Sequence, residues 1–165
     1  MVCSVRKHWL TKWLGYIALM IAFKGQANTN IEIKVIVVVP PPCVINNNRP
    51  IEVNFGDAVM TTRLDGNNYR TPIAYTLACG GQKNNAMQLR LQGNGASFNN
   101  QLLATNKSGL GIELLSNGVG TPINSSLNFT YPNLPVLEAV PIKQDGVALV
   151  AGKFTAAATM EVFYQ

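Results

Sequence analysis

The chain has 165 residues, of which 47% are hydrophobic and only 13% charged, with a formal net charge of +5. Four of its thirteen Lys and Arg, and none of its eight Asp and Glu, fall within the first 27 residues. The remainder is close to neutral, which removes any reason to expect nucleic acid or an anionic membrane surface as a partner. The single histidine (His8), both tryptophans (Trp9 and Trp13) and Cys3 lie in that same leader, so serine-histidine and cysteine-histidine catalysis are excluded beyond it and a zinc site lacks its usual ligands.

In chain order, residues 1–27 read as a secretory signal peptide. Arg6, Lys7 and Lys12 form a basic start, LGYIALMIAF (14–23) an apolar run, and KGQA ends at Ala27 with small residues suited to cleavage. The alternative is a retained membrane anchor, but the run is about half of the ~20 residues that a spanning helix needs. Residues 28–42 form an N-terminal extension. Ile31, Ile33, Val35, Val37 and Val39 share one face of an extended chain, Ile36 and Val38 make the other face partly apolar, and three prolines stiffen the approach to Cys43. Such an exposed apolar strand is an aggregation hazard unless something pairs with it.

Residues 43–165 suit one domain with one core. Cys43 and Cys79 are the two cysteines left after the leader, and in an exported protein that even count reads as a disulfide. On the chain-entropy view closure of this loop contributes about 4 kcal/mol; two buried free thiols are the alternative. Strand signals are dense: IEVNF (51–55), IAYTLAC with Ile73, Tyr75, Leu77 and Cys79 on one face, and AMQLRL with Met87, Leu89 and Leu91 on one face. Turn chemistry separates them at Asp65-Gly66-Asn67, Gly80-Gly81, Gly93-Asn94-Gly95, Ser116-Asn117-Gly118 and Gln144-Asp145-Gly146. The pattern predicts an all-β sandwich or barrel, with one helical turn over 99–105. The chain ends on GKFTAAATMEVFYQ, where Phe154, Ala156, Ala158, Met160, Val162 and Tyr164 share one parity. The N-terminal extension offers apolar knobs, and this last strand, with two small in-line residues, can line a slot. Pairing of the two ends within one molecule is the other way to satisfy both.

Chemistry-bearing clusters are sparse. Glu52, Asp57, Asp65, Glu113, Glu138, Asp145 and Glu161 offer carboxylates, but no pattern brings two together for glycoside hydrolysis. Asp57 and Asp65 sit in turn contexts as local hydrogen-bond acceptors. Gly109-Leu110-Gly111 lacks the third glycine and the helix of a phosphate loop and reads as a strand entering a hairpin. Three Asn-X-Ser/Thr triplets begin at Asn106, Asn124 and Asn128. No enzyme activity, cofactor or metal is expected.

The apolar extension leading to PPPC at Cys43, IEVNFGD at 51–57, YTLAC at Cys79, GLGIELLSNGVGTPI at 109–123, LEAVPIK at 137–143 and the terminal strand with Gly152 and penultimate Tyr164 together resemble a pilin of the chaperone-usher pathway. The resemblance covers nearly all of the chain after the leader. It implies an incomplete immunoglobulin-like β-sandwich, the pilin fold, lacking its seventh strand and completed by a donor strand from a partner. It implies that residues Gly152, Phe154, Ala156, Ala158, Met160, Val162 and Tyr164 line the acceptor groove and bind the chaperone, and that Ile31, Ile33, Val35, Val37 and Val39 form the donor strand. Many members carry a glycine within the donor segment; KVIVVV has none, so a partner pocket must be roomier there. The expected partners are a periplasmic pilus chaperone, an outer-membrane usher and neighbouring pilus subunits, on a route through the periplasm to a cell-surface fimbrium. Having both an extension and a groove suits a minor or adaptor subunit that supports adhesion. The competing function is a secreted carbohydrate-binding module, for which Tyr69, Tyr75, Tyr131 and Tyr164 are the ring-stacking candidates; a small secreted hydrolase is a third.

Overall fold

The computed structural model describes residues 43–81 and 84–165. The expected signal peptide (1–27), N-terminal extension (28–42) and five donor-strand residues lie outside the described residues. Eleven strands run in chain order: β1 (Val44–Ile45), β2 (Thr71–Pro72), β3 (Leu77–Ala78), β4 (Ala86–Gly93), β5 (Gly95–Ala96), β6 (Asn99–Ala104), β7 (Leu110–Ser116), β8 (Val119–Thr121), β9 (Ser126–Thr130), β10 (Leu137–Lys143) and β11 (Ala158–Tyr164). The only helical elements among the described residues are two 3-10 turns, at Asn46–Asn48 and Thr61–Arg63. All the strand pairs are antiparallel.

The strands form a large sheet in the order β2-β10-β7-β6-β5 with β8 also on β7, a three-stranded sheet β11-β4-β9, and a two-stranded ribbon β1-β3. β7 is the centre of the large sheet and is buried along nearly its whole length, as expected of a strand with apolar residues on both faces. Leu103, Ile112, Leu114, Ile123 and Ala139 form a cluster on this sheet, and Leu91 of β4 packs against it from the other layer. Met87 and Leu89, on the same face of β4 as Leu91, are wholly buried. Alternation in AMQLRL thus does what a period of two requires, turning Met87, Leu89 and Leu91 inward. At the β7-β8 turn, Asn117 and Gly118 both have positive φ (51° and 81°), the pairing that a two-residue hairpin demands.

Several sequence expectations meet a different outcome. Residues 99–105, read as a helical turn, form β6 instead, because Leu102 and Leu103 are buried on opposite faces between β5 and β7. IEVNF keeps its alternation, with Ile51, Val53 and Phe55 turned inward, but makes no strand ladder among the described residues. IAYTLAC also keeps its parity, while only its Leu77–Ala78 lies in a strand, β3, and β2 ends one residue ahead of it. The disulfide joins Cys43 to Cys79, one step beyond the register Val44↔Ala78 of the ribbon.

Inside this frame Tyr75 is half-buried and its hydroxyl donates to the Pro135 carbonyl at 2.8 Å. Burial pushes its phenol up from the ordinary 10 to about 12. The folded chain therefore holds this proton more tightly than the unfolded chain does, so the contribution to stability is complete below pH 10 and is lost as pH rises through 12. Urea unfolding followed between pH 9 and pH 12 is expected to show a steeper loss of stability for the unaltered chain than for Tyr75→Phe.

Candidate functional site

The C-terminal segment, 150–165, is held in two different ways along its length. From Val150 to Ala157 it is irregular and is attached to the loop between β6 and β7. Thr105 makes an isolated antiparallel bridge with Ala156. The Asn106 amide donates to the Thr155 carbonyl (3.0 Å), and the Thr155 amide donates to Asn106 Oδ1 (2.9 Å). Lys107 Nζ donates to the Val150 carbonyl at 3.0 Å. Gly152 lies between these contacts with φ of 120°, a conformation open to glycine and strained for other residues.

From Ala158 onward the segment becomes β11 and pairs with β4 over seven positions, from Ala158↔Gly93 to Tyr164↔Met87. Directly opposed residues share a face, so Ala158, Met160, Val162 and Tyr164 stand on the inner face with Gly93, Leu91, Leu89 and Met87. Burial differs sharply across the pair. Met87 and Leu89 are wholly buried, whereas Met160, Val162 and Tyr164 are half-buried and Ala158 is exposed. β4 has a neighbour on each flank, while β11 is an edge of its sheet; among the described residues no strand lies on its outer side.

A second half-covered segment faces the same core. Val53, Phe55 and Phe154 pack against the Leu103-Ile112-Leu114 cluster while remaining only partly buried. The Phe55 and Phe154 rings lie 5.8 Å apart, tilted by 31°. The predicted row falls in two structural zones: Phe154 half-buried and Ala156 exposed in the irregular part, and Ala158, Met160, Val162 and Tyr164 on one face of β11. Gly152 is exposed ahead of them.

The opposite face of β11 is polar and fixes the register. Glu161 stands across from Arg90, and its Oε2 accepts from Arg90 Nη2 at 2.7 Å and from Nε at 3.0 Å. The Arg90 guanidinium sits 5.0 Å from the Phe163 ring centroid. The C-terminal end of the strand is tied down. The Gln165 amide donates to the Ala86 carbonyl, Asn84 Nδ2 donates to the Gln165 carbonyl, and Gln165 Nε2 donates to Asn128 Oδ1 at 2.7 Å. The Tyr164 hydroxyl lies 3.3 Å from Cys43 Sγ.

The residues considered for other chemistry are spent elsewhere. Asp65 accepts from the Asn67 and Asn68 amides, and these bonds, with Asn68 first, hold its carboxyl below the ordinary range. Glu138 pairs with Arg70 at 3.7 Å and Glu161 with Arg90. Among the described residues no group of three or more His, Cys, Asp or Glu is placed to hold a metal ion. Tyr69, Tyr75, Tyr131 and Tyr164 are all half-buried; the Tyr69 hydroxyl accepts from the Met60 amide and that of Tyr75 bonds to Pro135. Sequence reasoning missed the pairing of Phe55 with Phe154, although the alternation of IEVNF marked Phe55 as inward. It also missed Asn84, Asn106, Lys107 and Asn128, because a side chain that bonds to a group distant in sequence leaves no local pattern.

The model of the fimbrial protein family matches residues 29–165. The chain belongs to the fimbrial protein family. The fimbrial-like protein YfcR of Escherichia coli strain K12 is 36% identical over 149 residues, covering 87% of this chain and 85% of that protein. YfcQ of the same strain is 36% identical over 132 residues, covering 76% and 81%. Among solved structures, this fimbrial chain resembles the P pilus rod subunit PapA (TM-score 0.61, 24% identity, 75% of this chain and 99% of that one). It also resembles the P pilus adaptor subunit PapF (TM-score 0.57, 24% identity, 77% and 98%). The fold is the all-β pilin fold of chaperone-usher pilus subunits, and among the described residues β11 is an edge of its sheet.

If Phe55 and Phe154 close the core together, their effects are coupled. A double-mutant cycle of Phe55→Leu and Phe154→Leu, read by urea unfolding, is expected to give a coupling of about 0.5–1.5 kcal/mol; additive effects would separate the two segments.

Proposed function

We propose that this chain is a subunit of a surface fimbrium assembled by donor-strand exchange, with β11 and the residues leading to it as the acceptor edge. The observation that carries this reading is the contrast across one strand pair. β4 buries Met87 and Leu89 completely, whereas its partner β11 leaves Met160, Val162 and Tyr164 half-covered and Ala158 exposed. An edge strand offers backbone donors and acceptors to an added strand, and the exposed Ala156 and Ala158 leave lateral room for that strand's side chains.

The occupant in the fibre is the extension of a neighbouring subunit, of the kind that residues 28–42 supply here. Ile31, Ile33, Val35, Val37 and Val39 are its knobs. Each contributes roughly 1.5–3 kcal/mol on full burial, and together they rival the 5–15 kcal/mol or so that stabilises an ordinary domain. A subunit with an empty edge is therefore poorly stable, which is why a periplasmic chaperone precedes the neighbour on that edge and an outer-membrane usher mediates the exchange. Residues 1–27 are the export signal and 43–165 the pilin domain. With a donor at one end and an acceptor at the other, the chain joins neighbours on both sides, as a minor or adaptor subunit of an adhesive fibre.

Deletion of residues 28–39 is expected to abolish incorporation into fibres while leaving capture by the cognate chaperone intact, as measured by fibre purification and chaperone co-purification. Normal incorporation of the deleted chain would sink the donor role. Ala156→Arg and Met160→Arg place a charge on the apolar row and are expected to reduce chaperone capture at least tenfold, which amounts to about 1.4 kcal/mol and is less than the cost of desolvating the charge. Undiminished capture of both variants would remove β11 from the acceptor edge.

A further inference from the structure

Three of the seven predicted acceptor residues, Gly152, Phe154 and Ala156, are not held by a strand ladder. Phe154 and Ala156 precede β11, and Val150 to Ala158 are largely exposed, with Val150 80% exposed. Burial therefore fixes this stretch only at Phe154, which packs on the core cluster and against Phe55. Elsewhere its placement rests on the loop between β6 and β7, and two side chains of that loop reach across to it. Asn106 Oδ1 accepts from the Thr155 amide at 2.9 Å, while Lys107 Nζ caps the carbonyls of Val150 (3.0 Å) and Ala151 (3.4 Å). The loop is itself braced from within. Thr105 Oγ1 donates to the Leu110 carbonyl at 2.8 Å and accepts from the Lys107 amide at 3.1 Å, and the Gln144 amide donates to the Gly109 carbonyl at 2.8 Å.

We propose that Asn106 and Lys107 are positioning residues for strand acceptance, holding the 150–156 stretch so that an incoming strand pairs along the whole apolar row rather than along β11 alone. This rests on the acceptor-edge reading and adds a device that sets the usable length of the edge. The physical reason is that a strand gains its ladder and pocket contacts only where the receiving backbone is already ordered. β11 is ordered by β4, whereas the stretch before it has one backbone bridge at Thr105–Ala156, the Asn106 amide bond to Thr155, the Phe154 ring and these side-chain bonds. Asn106 opens an Asn-X-Ser triplet, and its amide is engaged in this contact.

The test measures binding of a fluorescent peptide of residues 28–42 (NTNIEIKVIVVVPPP) and of versions trimmed from either end, by anisotropy, to the chain from residue 28 onward. With the unaltered chain, trimming the peptide end that lies against 150–156 weakens binding. In Asn106→Ala/Lys107→Met that loss is expected to shrink by about threefold to tenfold, the size of one or two net hydrogen bonds, while trimming the other end costs the same in both chains. Hydrogen exchange at the Thr155 amide rises in the variant, and the backbone bond from the Asn106 amide keeps the loop in place. Asn106→Asp, which retains an acceptor for the Thr155 amide, keeps the dependence on peptide length. Equal trimming losses in the unaltered and doubly altered chains, or Asn106→Asp behaving as Asn106→Ala, would overturn the positioning role alone. Failure of the unaltered chain to bind any of the peptides would overturn the acceptor-edge reading, and this inference with it.

Discussion

The ladder between β4 and β11 is the constraint on which the rest of the molecule depends. It is seven positions long, antiparallel and in uninterrupted register, and it is the only strand pairing that β11 makes among the described residues. A strand at a chain terminus ordinarily frays. This one is held by backbone bonds on one side, by Arg90 and Glu161 across its polar face, and by Asn84, Asn128 and Cys43 near its last two residues. The exposed ion pair contributes little stability by itself, but it opposes a one-residue slip, which would turn the apolar row to the wrong face.

The core is built asymmetrically around that ladder. The large sheet is thoroughly paired, and β7 is shielded on both faces, so Ile112, Leu114, Leu115 and Val140 are buried. The opposite layer covers this core fully only through β4. Along Val53, Phe55, Phe154 and β11 the cover thins to half-buried side chains. Hydrophobic stabilisation scales with the area removed from water, so these residues hold burial in reserve, available to whatever strand is added beside them.

Asparagine takes an unusual share of the anchoring. The side chains of Asn106, Asn124 and Asn128, the three that open Asn-X-Ser/Thr triplets, bond to Thr155, Gly93 and Gln165 respectively. All three contacts fall on the terminal segment or on the strand that carries it. An amide side chain both donates and accepts, so it can serve groups where no ladder continues, as at the irregular start of the terminal segment and at Gln165 beyond its last ladder position.

What the sequence determined by itself follows from local chemistry. Alternation of period two turned Met87, Leu89 and Leu91 to one face and Ala158, Met160, Val162 and Tyr164 to another, turn residues marked Asn117-Gly118, and the even cysteine count pointed to the pairing of Cys43 with Cys79. Those are properties of neighbours along the chain, and they led to the all-β class and to the terminal strand as the place of interest. The tertiary structure decided what depends on partners distant in sequence. It made 99–104 a central strand because β5 and β7 flank it, and left 51–55 extended without a ladder. It brought Phe55 against Phe154 and assigned Asn106 and Lys107 to hold the start of the terminal segment. Whether an alternating stretch becomes a buried strand or an open edge is set by how many neighbours it receives, and that number is not written in the stretch itself.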